Sequence, residues 1–323
     1  PPPPPTTTLL SSAASDVYKR QNVQLDKFLP EKSGIKIPLY ASYENRKITP
    51  HYDPLDPDIP LKAALNSIED PEERKEYKKL TQDRLERRSI NFTNVRKVKT
   101  KEGARNHIYD IENISLTYAY ADATQSNVNT ESYKLKSHRG TLAYNFSPQG
   151  GLVEPFKNSN GMKSKYLKLI KDFNFSVVPS NLSFRADLDR RFVRTQLRNS
   201  DLTTTGIRPM YEKYFTFNRS YNLRWQLTKG LSLDYFARAN TIIDEPFGDL
   251  DTQEKQDVVW TNLKNLGRMK NFDQQIGLGY KVPLDKLPLT DWINAELRYS
   301  VGYSWNAGAW SDIDSLNPVS YTH

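Results

Sequence analysis

The stretch "YNLRWQLTKGLSLDYFARA", Tyr221–Ala239, decides the fold. Every second residue is large and apolar, and polar residues fill the positions between. Period-two alternation is the mark of a strand, whose successive side chains point to opposite faces. Thr228-Lys229-Gly230 separates two such runs, and a three-residue hairpin loop favours a left-handed residue that glycine supplies. Folding the chain there sets Leu227 against Leu231, Trp225 against Leu233, Leu223 against Tyr235 and Tyr221 against Ala237, all on one face. The other face pairs Gln226 with Ser232 and Arg224 with Asp234, an opposite-charge cross-strand pair. Turn chemistry, register and charge agree on a hairpin. The open question is what covers its apolar face, a packed core or lipid.

The same pattern recurs along the chain. Alternating apolar sets run over Ile35–Tyr43, Ile114–Tyr120, Leu142–Phe146, Leu182–Leu188, Phe215–Leu227, Phe272–Tyr280, where Gln274 interrupts, and Ile293–Trp305. With the second arm of the hairpin and weaker candidates at Val23–Phe28 and Ser89–Val98, these predict about ten strands. One segment reads as helix. "DPEERKEYKKLTQDRLERR", Asp70–Arg88, opens with Asp70 as N-cap, Pro71 at the first helical position and Glu72 and Glu73 in the first turn. It is polar all round apart from Tyr77, Leu80 and Leu85, so it is expected as a loop helix over residues 70–88.

Composition bounds the possibilities. The chain has 323 residues, no cysteine and 19 Tyr. Without Cys, disulfide scaffolds, thiolate metal sites and cysteine nucleophiles are excluded. Mean hydropathy is −0.73, and no run approaches the roughly 18 apolar residues of a membrane helix. Membrane barrels stay open, because alternating strands average out in hydropathy. The net charge of +8 comes from scattered residues. Its densest run, "RKVKTKEGAR" (Arg96–Arg105), reads as a solvated turn, so no nucleic-acid partner is expected.

The predicted connections sort by length. One end of the strands receives Leu29–Ser33, Lys99–Tyr109, Ser147–Asp172, Thr228–Gly230 and Pro283–Asp291. The other receives Glu44–Arg88, Ala121–His138, Val193–Met210 and Asp244–Asn271. Apart from Ser147–Asp172 the first set is short and the second long, the asymmetry of bacterial outer-membrane barrels. The polar faces are fully hydrophilic: Thr216, Asn218, Ser220, Asn222, Arg224 and Gln226 on one strand, Ser183, Arg185, Asp187, Asp189 and Arg191 on another. Arg224, Asp234, Arg185 and Asp187 are the candidate lumen-facing charges. Trp225, Tyr280, Trp292 and Trp305 stand near strand ends on the apolar side, as membrane-girdle residues would. Arg219 interrupts the apolar face, at a depth expected near the far rim, where its side chain can snorkel.

No motif carries chemistry. The four histidines, His51, His107, His138 and His323, have no ligand spacing, and no nucleophile elbow, phosphate loop or dinucleotide fingerprint is present. "DPLDPD" (Asp53–Asp58) lacks the glycine and distal glutamate of an EF-hand loop and reads more simply as rigid Asp-Pro turns. "DEPFGDLDTQEKQD" (Asp244–Asp257) is rich in carboxylates, as either a solvated loop or a metal site. No cofactor, metal or catalytic residue is therefore expected, and the chain is not read as an enzyme. The terminal stretches "PPPPPTTTLLSSAASDVYKRQ" (1–21) and "NPVSYTH" (317–323) have the look of translated linker sequence, which leaves 22–316 as the expected β-barrel segment.

Four segments add a family resemblance: "HYDPLDPDIPLKAAL" (His51–Leu65), "RRSINFTNVRKV" (Arg87–Val98), "YDIENISLTYAY" (Tyr109–Tyr120) and "RANTIIDEPFG" (Arg238–Gly248). They resemble the SprA (Sov) family of Bacteroidota over most of residues 22–316. The resemblance implies a very large β-barrel of the bacterial cell outer membrane, the translocon of the type 9 secretion system, linked to gliding motility. Its implied partners are outer-membrane lipid, secreted protein cargo and other secretion-system proteins. This chain would then be an internal piece: an all-β, unclosed antiparallel segment of a transmembrane barrel with one helical extracellular loop. Two other readings of the strands are a barrel that imports a nutrient and a soluble surface β-sandwich that binds glycan or protein.

Overall fold

The computed structural model describes residues 13–308 apart from 102, 104, 149–151, 159–163 and 200–206. It is one antiparallel sheet of eleven strands. In chain order these are β1 (Ala13–Gln24), β2 (Ile35–Lys36), β3 (Pro38–Thr49), β4 (Asp83–Lys97), β5 (Ile114–Ser126), β6 (Thr130–Phe146), β7 (Asn181–Leu197), β8 (Met210–Gln226), β9 (Leu231–Ile242), β10 (Arg268–Val282) and β11 (Ala295–Asn306). Each long strand pairs with the next in sequence, and the two-residue β2 pairs with β4 beside the path. The sheet does not close: β1 pairs only with β3, and β11 only with β10. Four helices interrupt the connections: α1 (Leu61–Ser67), α2 (Pro71–Thr81), α3 (Lys168–Lys171) and α4 (Gln253–Lys264).

The opening hairpin has the register that its alternation dictates. Tyr221 faces Ala237, Leu223 faces Tyr235, Trp225 faces Leu233, Arg224 faces Asp234 and Gln226 faces Ser232. Its turn differs from expectation. Thr228 and Leu231 exchange backbone hydrogen bonds of 3.1 and 3.2 Å. The Thr228 hydroxyl also accepts from the Gly230 and Leu231 amides. Gly230 does not adopt the left-handed region. Glycine is required for space: a Cβ there would lie 2.7 Å from the Lys281 carbonyl oxygen, and the Lys281 amide donates to the Gly230 carbonyl at 2.7 Å. The turn is thus pressed against the end of β10.

Register carries each face across the sheet. One row on the apolar face runs Leu116, Leu142, Ala186, Arg219, Ala239, Phe272, Trp305 from β5 to β11. The band it crosses is built from Ile114–Tyr120, Gly140–Phe146, Leu182–Leu188, Phe215–Trp225, Leu231–Ala239, Phe272–Tyr280 and Leu297–Trp305, taking alternate residues. The row is oblique to the band. On β6 it meets the third band residue counted from Phe146, and on β11 the fifth counted from Leu297. A rise of two positions is about 13 Å over five strands spanning about 24 Å, so the strands tilt about 30° from the band's normal.

Three expectations need correction. The predicted helix over 70–88 stops at Thr81, and Asp83–Lys97 is a strand paired with β3 and β5. The helical start is as read, with the Asp70 carboxylate accepting from the Glu72 amide at 3.0 Å. Pairing on both sides overrides the helical propensity of "DRLERR". Of residues 1–21, set apart from the fold, 1–12 lie outside the described residues, while from Ala13 onward the chain forms β1 and pairs residue for residue with β3. An edge strand exposed on both faces needs no alternation to form. Residues 317–323 lie outside the described residues.

The third correction concerns the connections. Call the end that bears the Thr228–Leu231 turn the near end, and the opposite one the far end. The near end carries 25–37, 98–113, 147–180, 227–230 and 283–294, and the far end 50–82, 127–129, 198–209 and 243–267. Both ends mix long and short, so the predicted sorting by length does not hold. The long Ala121–His138 connection is mostly β5 and β6, joined across Asn127–Asn129, where the Asn127 side chain accepts from the Asn129 and Thr130 amides. Along these extensions the face of the band turns polar, with Asp122, Thr124, Lys134 and Lys136, while Ala121, Ala123, Tyr133 and Leu135 stand on the other face, so the alternation of the band does not continue through them. Far-end helices also number more than one loop's worth: α1 and α2 lie in 50–82, and α4 lies in 243–267.

Replacing Gly230 by Ala should separate the hairpin turn from β10 at a cost of about 1–3 kcal/mol, the range for forcing atoms into filled space. Amide hydrogen exchange would show it as lost protection at Lys281. Unchanged protection there would refute the close-approach account.

Candidate functional site: the two faces of the sheet

The sheet has no second layer over most of its apolar face among the described residues. Leu116, Leu142, Ile276, Leu278 and Tyr299 are all exposed, the last at 66%. A contiguous uncovered apolar patch of this extent marks a surface that meets lipid or another protein. The few deeply buried side chains of the band are small or at its margin: Ala186, Ala237, Ala239 and Phe146.

The opposite face is hydrophilic and its charges neutralise one another. Arg224 Nε lies 2.7 Å from the Asp234 carboxylate across β8 and β9. Arg185 forks onto Asp187 along β7 with two bonds of 2.8 Å, and the Thr141 hydroxyl donates to the same carboxylate at 2.7 Å. Arg139 reaches Asp189 at 3.2 Å. Arg298 pairs with Glu296 on β11. These side chains are at least one-third exposed on one partner, so each pair contributes little to stability. Together they make a wetted surface with both signs alternating and no strong net field.

The four expected girdle residues fall at three kinds of place. Trp225 and Tyr280 lie on β8 and β10 at the near end, and Trp305 lies on β11 at the far end. Trp292 is not on a strand. It sits in the connection 283–294 and is 81% exposed. The Trp225 indole donates to the Ser176 carbonyl at 3.1 Å, and the Ser176 amide donates to the Leu227 carbonyl, so the connection 147–180 is fastened alongside the hairpin. Asn174 adds a bond to the Lys229 amide, and Glu154 takes both Lys229 and Lys157. The lysine partners, Lys157 foremost and then Lys229, hold the Glu154 carboxyl down at about 2.

Arg219 sits between Ala186 on β7 and Ala239 on β9. Phe217 and Phe215 continue the band beyond it, so it stands inside the band and not at the rim. The two alanines leave a furrow for its stem, and its guanidinium lies over the Phe217 ring, 5.1 Å from the centroid, toward the far end. The snorkel therefore runs through a slot of small residues.

The acidic loops are already occupied. Asp53 is buried, accepting from the Leu55 amide at 3.0 Å and the Tyr77 hydroxyl at 2.6 Å. That hydrogen bond, then burial and the Asp53 charge, push the Tyr77 phenol up to about 12. In Asp244–Asp257, Asp244 forks onto Arg268, Glu245 takes Arg190 and Lys213, Asp249 accepts from Tyr211, and Asp251 pairs with Lys255. Among the described residues, no three His, Asp or Glu side chains gather as a metal cluster. Glu245 and Asp249 strap the loop onto the far-end extensions of β7 and β8, Asp244 ties it to β10, and Asp251 pairs within it.

Those extensions carry a feature missed in the sequence. Beyond the band the apolar face turns cationic. One row reads Arg88, Asp122, Lys136, Phe192, Lys213, and the next Glu86, Thr124, Lys134, Arg194, Tyr211. The only signal available was the alternation of Lys134 with Lys136 inside a stretch read as a loop.

A family model described as a motility related/secretion protein, SprA_N, matches residues 12–65. No curated protein matches the chain. The matched region spans β1 to β3 and reaches α1. It supports the SprA resemblance for that N-terminal part and a role related to motility or secretion.

The Asp53–Tyr77 clamp yields a prediction. Its folded tyrosine is raised above the ordinary value near 10, so its stabilisation is complete below pH 10 and is lost as pH rises toward 12. Tyr77→Phe should destabilise the 50–82 connection by about 1–3 kcal/mol, because a buried carboxylate loses a donor. Limited proteolysis between α1 and α2 would speed up in the variant at neutral pH and in the native chain above pH 10. Equal cleavage of both would count against the clamp.

Proposed function

We propose that this chain is a segment of the wall of a large outer-membrane β-barrel through which proteins are secreted, as the SprA resemblance implies for type 9 secretion and gliding motility. The observation that carries the reading is the uncovered apolar band, continuous across neighbouring strands and backed by a hydrophilic face. On β9, β10 and β11 the band is nine residues long, which fits the roughly 9–11 residues with which a tilted strand spans a bilayer. The strand tilt is close to the 35–45° typical of barrels. A soluble sandwich would need a second sheet on the band.

In this reading lipid covers the band, and the hydrophilic face lines the passage of secreted protein. Strands β5 to β8 overrun the band at the far end only, and in this reading the far end faces the cell exterior. No side chain performs chemistry. The wall acts by being rigid, and the balanced charges of Arg185, Asp187, Arg224 and Asp234 keep it wet without trapping cargo of either sign. Secretion-system proteins would meet it at the connections.

Neighbouring positions on β6 test this. Leu142→Arg places a charge in the band and should cost about 2–4 kcal/mol of folding stability in bilayers. Asn145→Arg, on the hydrophilic face, should cost under about 1 kcal/mol. Unfolding of the chain from phosphatidylcholine vesicles by urea measures both. Equal costs, or a chain that stays monomeric in buffer without detergent or lipid, would sink the proposal.

A further inference from the structure

The cationic rows above the band have no role in forming a passage, because they lie on the outward face. We propose that they bind the phosphate groups of an anionic lipid in the leaflet at the far end; this rests on the membrane reading above. Lys134 and Lys136 are both exposed on the same face of β6. Neither is held by an ion pair among the described residues, nor is Lys47 on β3. By contrast Arg190, Lys213 and Arg194 are taken by the 243–267 connection, and Arg88 by Glu86. The structure thus neutralises the cations of β7 and β8 with its own loop and leaves those of β6 open.

Depth agrees with the assignment. Lys136 lies four residues beyond Gly140, the last band position of β6. That is about 13 Å along the strand and about 11 Å along the membrane normal, at the outer margin of a headgroup layer about 5–8 Å thick, which the flexible lysine stem meets by folding back toward the band. Lys134 is one step farther out, about 7 Å along the strand. A lipid carrying two phosphates could bridge both ammonium groups while its acyl chains lie on Leu142, Leu116 and the rest of the band. A protein partner would also meet charged side chains here, but continuity of the lysines with the lipid-facing band favours a lipid, whose apolar and anionic parts match the two zones in order. Asp122, in register with Lys136, is the acid facing this patch from β5 and lies between Lys136 and Arg88.

The test uses the full chain in phosphatidylcholine nanodiscs doped with bis-phosphorylated lipid A, with its dephosphorylated form as control. Lipid retained through exchange is counted by native mass spectrometry. The native chain should retain the phosphorylated form selectively, less so at high salt. Lys134→Gln/Lys136→Gln should lower that retention about thirtyfold while insertion stays unchanged. Inorganic phosphate at millimolar concentration should not displace the lipid, because the acyl chains contribute to binding. A chain that inserts but retains both lipid forms equally, is unaffected by the double substitution, or releases lipid to free phosphate overturns this inference alone. A chain that fails to insert overturns it together with the membrane reading.

Discussion

Everything in this molecule depends on backbone pairing within a single layer. Each long strand finds its partners in its immediate sequence neighbours, so the ladder is complete except at β1 and β11. A single layer has two faces and cannot bury either against itself. Period-two alternation then decides what each face must meet. The hydrophilic face can meet water, while the apolar face demands something that is neither water nor this chain. The few buried hydrophobic side chains are either small or marginal ones on the strands, such as Ala186, Ala239 and Phe146, or residues of the connections, such as Ile243 and Leu61.

The connections answer a second need. In a one-layer sheet a connection has little core to rest on, so each is tied down by polar contacts of its own. Asp53 and Tyr77 hold 50–82, Glu245 and Asp249 hold 243–267, and Ser176, Asn174 and Glu154 hold 147–180. The carboxylates that looked like metal ligands in the sequence are better understood as these fastenings. Glu245 finds its bases, Arg190 and Lys213, on strands distant in sequence, and Asp53 and Asp249 find tyrosine hydroxyls, none of which a local pattern reveals.

The hairpin was legible because three signals coincide in it: alternation, the cross-strand pair Arg224–Asp234 and a turn. The apolar band was legible strand by strand for the same reason. The far-end extensions were not. Residues 121–126, 130–138 and 210–214 stand in strands, but on β5 and β6 the face of the band turns polar while Ala123, Tyr133 and Leu135 stand on the other face, so the band's own alternation stops and they resemble loops. That error created the apparent sorting of connections by length. The real asymmetry lies in strand chemistry, where one face changes from apolar to cationic part-way along. "DRLERR" failed differently: its local preference is helical, and pairing with two neighbours outweighs it. Gly230 was identified as necessary for the wrong reason, since only the fold shows that Lys281 comes so near.

The oblique row from Leu116 to Trp305 has a geometric consequence. Hydrogen bonds fix the distance between adjacent strands at about 4.8 Å, so a wall of given strand number and tilt has a fixed circumference. Such a ring cannot dilate by stretching; it can widen only by sliding every strand past its neighbour, which would break register along the whole ladder. In the barrel proposed above, the bore would therefore be a constant of the architecture, and opening and closing would fall to parts that plug or cap the ring.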